Sequence, residues 1–120
     1  MSFSPIYRTL KADADVNTLI NVEAKVFEDV APHDTAPPYV VWQTISGQAN
    51  NHLDEPASFD DTQYQLMVYA TDAKNAYDLR DACRAALEKQ SWVLNPCINL
   101  YVSKAKLYGR GFDANWILAR

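Results

Sequence analysis

The chain offers few side chains with the means to do chemistry: two histidines, two cysteines and a crowd of acids. His33 stands beside Asp34, and His52 lies two residues ahead of Asp54. A histidine with a carboxylate is a start on a metal site, but a metal needs three or four converging ligands. Both pairs fall in polar loops, so the sequence predicts solvated loop histidines. Cys83 falls on the apolar stripe of a helix, where a free cysteine behaves as a small, inert hydrophobe. Cys97 follows a proline, and no local partner supports a cysteine–histidine nucleophile. Two cysteines are also too few for a disulfide framework. Asp54, Glu55, Asp60 and Asp61 crowd one loop. They lack the alternating spacing and central glycine of an EF-hand and read as a solvated acidic loop. Gly109-Arg110-Gly111 is too short to cradle a phosphate, Gly47 stands alone, and neither a nucleophile elbow nor a Walker sequence occurs. The expectation is a protein that is not an enzyme, with no catalytic residue, no metal and no cofactor.

The aromatic residues, seven Tyr, four Phe and three Trp, carry more information. A base-stacking surface interleaves aromatics with cations, and cations are sparse around Trp42, Tyr64 and Tyr69. Lys104, Lys106 and Arg110 do gather near Tyr101 and Tyr108, although lysine also commonly guards a sheet edge. The balance of 11 basic against 15 acidic residues, net −4 with a pI of about 5.0, opposes a dedicated nucleic-acid binder. Such a protein needs a basic surface to displace phosphate counterions. An aromatic-rich surface suits protein contact, and core plus interface is the preferred reading.

The elements that must hold these residues are legible in the hydrophobic pattern. Asp72 caps a helix running to about Gln90, with the stripe Ala76, Leu79, Cys83, Ala86 and Leu87 at helical spacing. Its other face carries Lys74–Asp78 and Arg84–Glu88 as i,i+4 pairs. Tyr39 to Ile45 and Thr62 to Ala70 read as strands, rich in β-branched and aromatic residues or strictly alternating. Between them, residues 46–60 are polar and long for a hairpin connection. Ahead of them, Ser4 and Pro5 mark the start of a first helix, and Asp13 or Asp15 caps a second short turn through Val16. Ala24 to Glu28 is a weak strand, and residues 31–38, with three prolines, form a loop. After the long helix come Trp92 to Leu94, a turn at Asn95-Pro96, and a hairpin of Ile98–Tyr108 with Phe112–Leu118 turning at Gly109-Arg110-Gly111. The fold class is therefore α+β: a mostly antiparallel β-sheet of four to five strands with helices packed on one face.

At 120 residues and 48% hydrophobic, the chain suits a single domain, residues 1–120, with a core of its own. No apolar run approaches the roughly 18 residues that span a bilayer. The N-terminus lacks the basic-then-apolar order of a signal peptide. No membrane contact and synthesis in the cytoplasm are expected.

The order of segments in the middle of the chain is distinctive. Ala36-Pro37-Pro38-Tyr39-Val40-Val41-Trp42-Gln43-Thr44-Ile45-Ser46-Gly47 leads through a polar loop to Thr62-Gln63-Tyr64-Gln65-Leu66-Met67-Val68-Tyr69-Ala70, then to Asp72, Ala76, Leu79, Arg80, Ala82 and Leu87. This combination, with Ile6-Tyr7, Leu10, Asp13 and Val16 ahead of it, resembles the tail-completion or tail-terminator proteins of long-tailed bacteriophages and prophages. The resemblance covers roughly residues 5–90. It implies structural work: a homo-oligomeric ring, usually a hexamer, that meets the tail tube protein and the head connector (neck) protein at the head-proximal end of the virion tail. DNA would pass through its lumen without specific binding. A heterologous ring needs two different complementary patches on each subunit. The loop 47–61 is long enough to reach a neighbour, and Leu53 and Phe59 amid Asp54, Glu55 and Asp60 are the candidate interface residues. Two alternatives stand beside this reading: another head-to-tail joining protein of the virion, or a small ligand-binding or enzymatic α+β domain. The latter would need a pocket of converging polar groups.

Overall fold

Alternating apolar residues in three long strands build the frame on which everything else rests. In the computed structural model, which describes residues 4–49 and 59–119, β2 (Tyr39–Ala49), β3 (Phe59–Ala70) and β5 (Leu107–Ala119) form the middle of a five-stranded sheet. β1 (Val26–Glu28) lies at one edge and β4 (Trp92–Val102) at the other, in the order β1-β2-β3-β5-β4. β1 runs parallel to β2, and every other pairing is antiparallel. Along one face Val40 and Trp42 of β2, Tyr64, Leu66 and Val68 of β3, and Phe112, Ala114 and Trp116 of β5 are buried in a single core. That period of two is what a sheet covered on one side requires.

The helices α1 (Ile6–Lys11), α2 (Ala14–Leu19), α3 (Val22–Lys25) and α4 (Ala73–Leu87) close this face. In α4 the buried residues are the expected stripe, Ala76, Leu79, Cys83, Ala86 and Leu87. Its start is fixed by Asp72, whose carboxylate accepts the Lys74 N–H at 3.2 Å. The outer pairs Lys74–Asp78 and Arg84–Glu88 form at 2.9 and 3.3 Å. The helix stops at Leu87, short of Gln90, because Ser91 caps it from beyond. The Ser91 hydroxyl donates to the Leu87 carbonyl at 2.7 Å, which leaves its oxygen to accept the Tyr64 hydroxyl proton at 2.8 Å. This buried relay ties the helix end to the central strand. Asp13 caps α2 by accepting the Val16 N–H at 3.0 Å. Ser4 does not cap α1. It is buried, and its hydroxyl finds no partner among the described residues.

Three further expectations change. Residues 46–49 and 59–60 are not loop but the ends of β2 and β3, which run on beside β5 to this end of the sheet, and the connection 50–58 lies outside the described residues. Asn95-Pro96 is not a turn. The strand continues through it with two register shifts, and Pro96, which has no N–H to give, falls in the unpaired stretch between Asn95 and Ile98 that an edge strand tolerates. Gly109-Arg110-Gly111 lies inside β5, paired with Tyr69, Val68 and Met67. The hairpin turn falls instead between Val102 and Leu107, where Lys106 takes a left-handed φ of 56°. The glycines are required by close approach. A Cβ at Gly111 would strike the Leu66 carbonyl oxygen and the Met67 sulfur, and one at Gly109 would meet Leu100 Cδ1 at 2.7 Å.

Candidate functional site

Among the described residues no helix covers the second face of the sheet. Its rows follow from the strand registers. Tyr39, Tyr69, Gly109 and Leu100 form one row, and Val41, Met67, Gly111 and Ile98 the next. Then come Gln43, Gln65, Asp113 and Asn95, and after the bulge in β2, Ser46, Gln63, Asn115 and Trp92. The first two rows are apolar. They are also flat, because Met67 and Leu100 lie across glycines that have no side chain to hold them off. Tyr39 and Tyr69 stack at 5.4 Å, and burial, with the neighbouring Tyr39, raises the Tyr69 pKa above its ordinary value. The lower rows are amides and acids, ending in Asp61 opposite Ile117. These four rows hold no lysine or arginine. Leu100, Trp92 and Ile117 are 40%, 59% and 44% exposed. Met67 is buried at the centre of this face, so its exposed apolar side chains gather on β4 and the end of β5, and such a patch is the mark of a contact surface.

A second group forms on the helix side of the sheet. The guanidinium of Arg110 lies 4.8 Å from the Tyr77 ring and 5.5 Å from the Tyr108 ring. Arg80 lies 5.0 Å from the same Tyr77 ring, and Tyr101 packs on Tyr108 at 4.9 Å. Tyr77 also accepts the Asn99 side-chain N–H at 3.3 Å. The expected gathering of Arg110 with Tyr101 and Tyr108 is present. Tyr77 and Arg80 were missed by sequence reasoning, because α4 and β5 are far apart in the chain. The available signal was their i,i+3 spacing on one helix face.

Of the candidate interface residues, Leu53, Asp54 and Glu55 lie outside the described residues. Phe59 opens β3 opposite Ala119, and Asp60, next to it, pairs with Leu118 and Ala49. Asp61 sits beside Asp60 on the other face. His52 is also outside the described residues, whereas His33 and Asp34 lie 3.5 Å apart, both almost fully exposed. Cys83 is buried and Cys97 exposed, both as free thiols. Burial pushes the Cys83 thiol up to about 12, so it stays protonated and unreactive. Among the described residues no three His, Cys, Asp or Glu side chains are placed to share a metal. A mostly apolar cavity of about 450 Å³ opens between α1 and the β1 edge, lined by Pro5, Tyr7, Val26 and Trp42 with Arg8 and Glu28.

The family model described as "Tail completion protein gp17" matches residues 4–110. No curated protein matches the chain. Among solved structures, a chain of the "Virion of native gene transfer agent (GTA) particle" is similar with a TM-score of 0.66. The match covers 96% of this chain and 92% of that one at 18% sequence identity, a likeness of fold.

Proposed function

The chain belongs to the tail completion protein gp17 family and is a structural protein of a phage tail, and we propose that it acts there as a tail terminator. In this reading it is made in the host cytoplasm, closes into a ring of six copies, and caps the tail tube at its head-proximal end, where it meets the head connector. The observation that carries the reading is the family match over residues 4–110. The surfaces support it physically. A ring subunit must contact its two neighbours through different patches and a tube and a neck through others. The chain offers an apolar sheet face, the paired ends of β2, β3 and β5, and an aromatic–arginine cluster in separate places. In this reading DNA passes through the lumen without specific binding, which the net charge of −4 favours.

Native mass measurement of the chain extracted from purified tails, with electron microscopy of those tails, tests this. The expected result is a closed assembly near six subunits seated at one end of the tube. Copies spread along the tube, or found elsewhere in the particle, would refute it.

A further inference from the structure

Natural sheets guard their edges with charge, because an unpaired strand is a template for another strand. The two edges of this sheet differ in that respect. β1 has three residues, includes Glu28 and stands between Lys25 and Asp29. β4 has 11 residues, and the stretch from Ser91 to Ser103 contains no charged side chain. Among the described residues no strand pairs with its outer side. Trp92, Leu94, Leu100 and Tyr101, half of the large hydrophobic side chains exposed among those residues, lie on this one strand.

Pro96 and the two register shifts blunt only the first half of β4. From Ile98 to Val102 the pairing with Leu107–Gly111 is unbroken. Arg110 shows which backbone groups of this run are free. One Nη of its guanidinium donates to the carbonyls of Gly109 at 2.8 Å and Leu100 at 3.1 Å. Gly109 and Leu100 are paired directly, so both carbonyls point into the gap between β5 and β4. In an antiparallel ladder the N–H and C=O of one residue share a side, and those of its neighbours take the other. Asn99 and Tyr101 therefore turn their N–H and C=O groups outward, toward no strand among the described residues.

We propose that the β4 edges of two copies of this chain pair antiparallel about a two-fold axis at Leu100. In this register Asn99 of each copy lies opposite Tyr101 of the other, and their outward N–H and C=O groups bond one another. Leu100 meets its own copy and Ile98 meets Val102, so apolar side chains face apolar ones. Charge selects the orientation. Antiparallel strands set the Lys104–Lys106 turn of each copy beside the uncharged first half of the other's β4, whereas parallel strands would bring the two lysine turns together. Neighbours in a ring of six share a head-to-tail contact and not a two-fold one. The dimer is therefore a state of the free chain and goes beyond the ring reading. It keeps an uncharged edge covered until the subunit enters a tail.

Five paired residues make a small interface, so the full chain is sedimented at about 100 µM, well above a micromolar Kd. The expected mass is twice 13.5 kDa in about 0.15 M and about 1 M salt alike, since backbone bonds and apolar contacts are not screened. Leu100→Lys and Leu100→Glu each set like charges opposite one another at the axis and lower the association constant by about tenfold or more. Mixed, the two variants pair with each other and association returns. If either variant lowers the melting temperature, a milder pair of changes replaces them. Cys97→Ala with Leu100→Cys puts one thiol opposite its own copy at a Cα separation of about 4.5 Å, within disulfide reach. Air oxidation then gives a covalent dimer, and Cys97→Ala alone does not. A wild type monomeric at about 100 µM, variants that associate like the wild type, or a mixture that stays monomeric overturns the proposal. So does a monomer whose Leu100→Lys variant fails only to enter tails, which assigns the edge to another protein. The ring reading is judged separately, by the mass and position of the chain in tails.

Discussion

Gly111 should be the costliest glycine in the chain to replace, and the reason is geometric. A methyl added there meets the Leu66 carbonyl oxygen, the Met67 sulfur and, at 3.1 Å, the Met67 Cα. Two of these are backbone atoms of the paired strand, so β3 and β5 must part to admit it. Overpacking of this kind costs about 1–3 kcal/mol, and a backbone collision belongs at the top, about 3 kcal/mol. A methyl at Gly109 meets Leu100 Cδ1 and Cγ at 2.7 and 2.9 Å and Tyr69 at 3.2 Å. Those are ends of side chains that can turn away, so about 1 kcal/mol is expected. At Gly47 the nearest atom is the Asp61 carbonyl oxygen at 3.8 Å, and no glycine has a positive φ. Alanine there is neutral or stabilising by up to about 1 kcal/mol through the unfolded state. With an unfolding entropy of about 0.25 kcal/mol/K for this length, Gly111→Ala should lower Tm by about 12 °C and Gly109→Ala by about 4 °C. Gly47→Ala should leave it unchanged or raise it by up to about 4 °C. Thermal melts followed by far-UV circular dichroism read all three. If Gly111→Ala melts with the wild type, the 109–111 segment is a turn, and the flat sheet face argued from it is wrong.

Leu79→Ala removes a fully packed side chain from the α4 stripe and should cost about 2–5 kcal/mol in denaturant unfolding; a cost under about 1 kcal/mol contradicts that packing. Burial raises Cys83 from 9.0 to about 12 and Tyr64 from 10.0 to about 12, the latter opposed by its Ser91 hydrogen bond. Both groups keep their protons better folded than unfolded. Stability is therefore undiminished below pH 9 and falls between pH 9 and 12, by about 1.4 kcal/mol per pH unit per group. In Cys83→Ala the fall should begin near pH 10, the ordinary tyrosine value; onset unchanged from the wild type refutes the assignment. Replacing Leu53 and Phe59 with serine should impair tail assembly while the thermal melt of the subunit stays put; a subunit that unfolds instead uses those side chains in its own core.

The parts of this fold that the sequence announces are those where one local rule acts alone. The α4 stripe repeats at 3.6 residues behind a capping aspartate, and Tyr64, Leu66, Val68 and Ala70 mark one buried face, so both are where expected. The misplaced parts are those where a distant strand decides. Glycine marks turns and close approaches alike, and only the Met67 and Leu66 atoms across the ladder reveal that Gly111 is the second kind. Asn95-Pro96 reads as a turn unless β4 is known to be an edge, where a bulge and a proline cost little. Residues 46–49 and 59–60 read as loop because they are polar, and they are strand because 46–49 pair with 60–63 and 59–60 with 118–119. The open face could not be told from a core face at Tyr39 and Val41, since both faces of that strand begin apolar. The candidate contact surfaces were legible in part. Asp60-Asp61 and the Arg110 end are both present in sequence, and the absence of any lysine or arginine between Lys25 and Lys74 is visible there without a structure. That the two lie at opposite ends of one sheet follows only from the register of β3 with β5.

The central claim is that this chain ends tail growth. Particles assembled without it, imaged by negative stain, measure that claim directly through the distribution of tail lengths. The account predicts overlong tails of scattered length that fail to join heads, restored to one length by adding the chain back. Tails of normal length lying free beside filled heads would contradict it and assign the chain to joining instead.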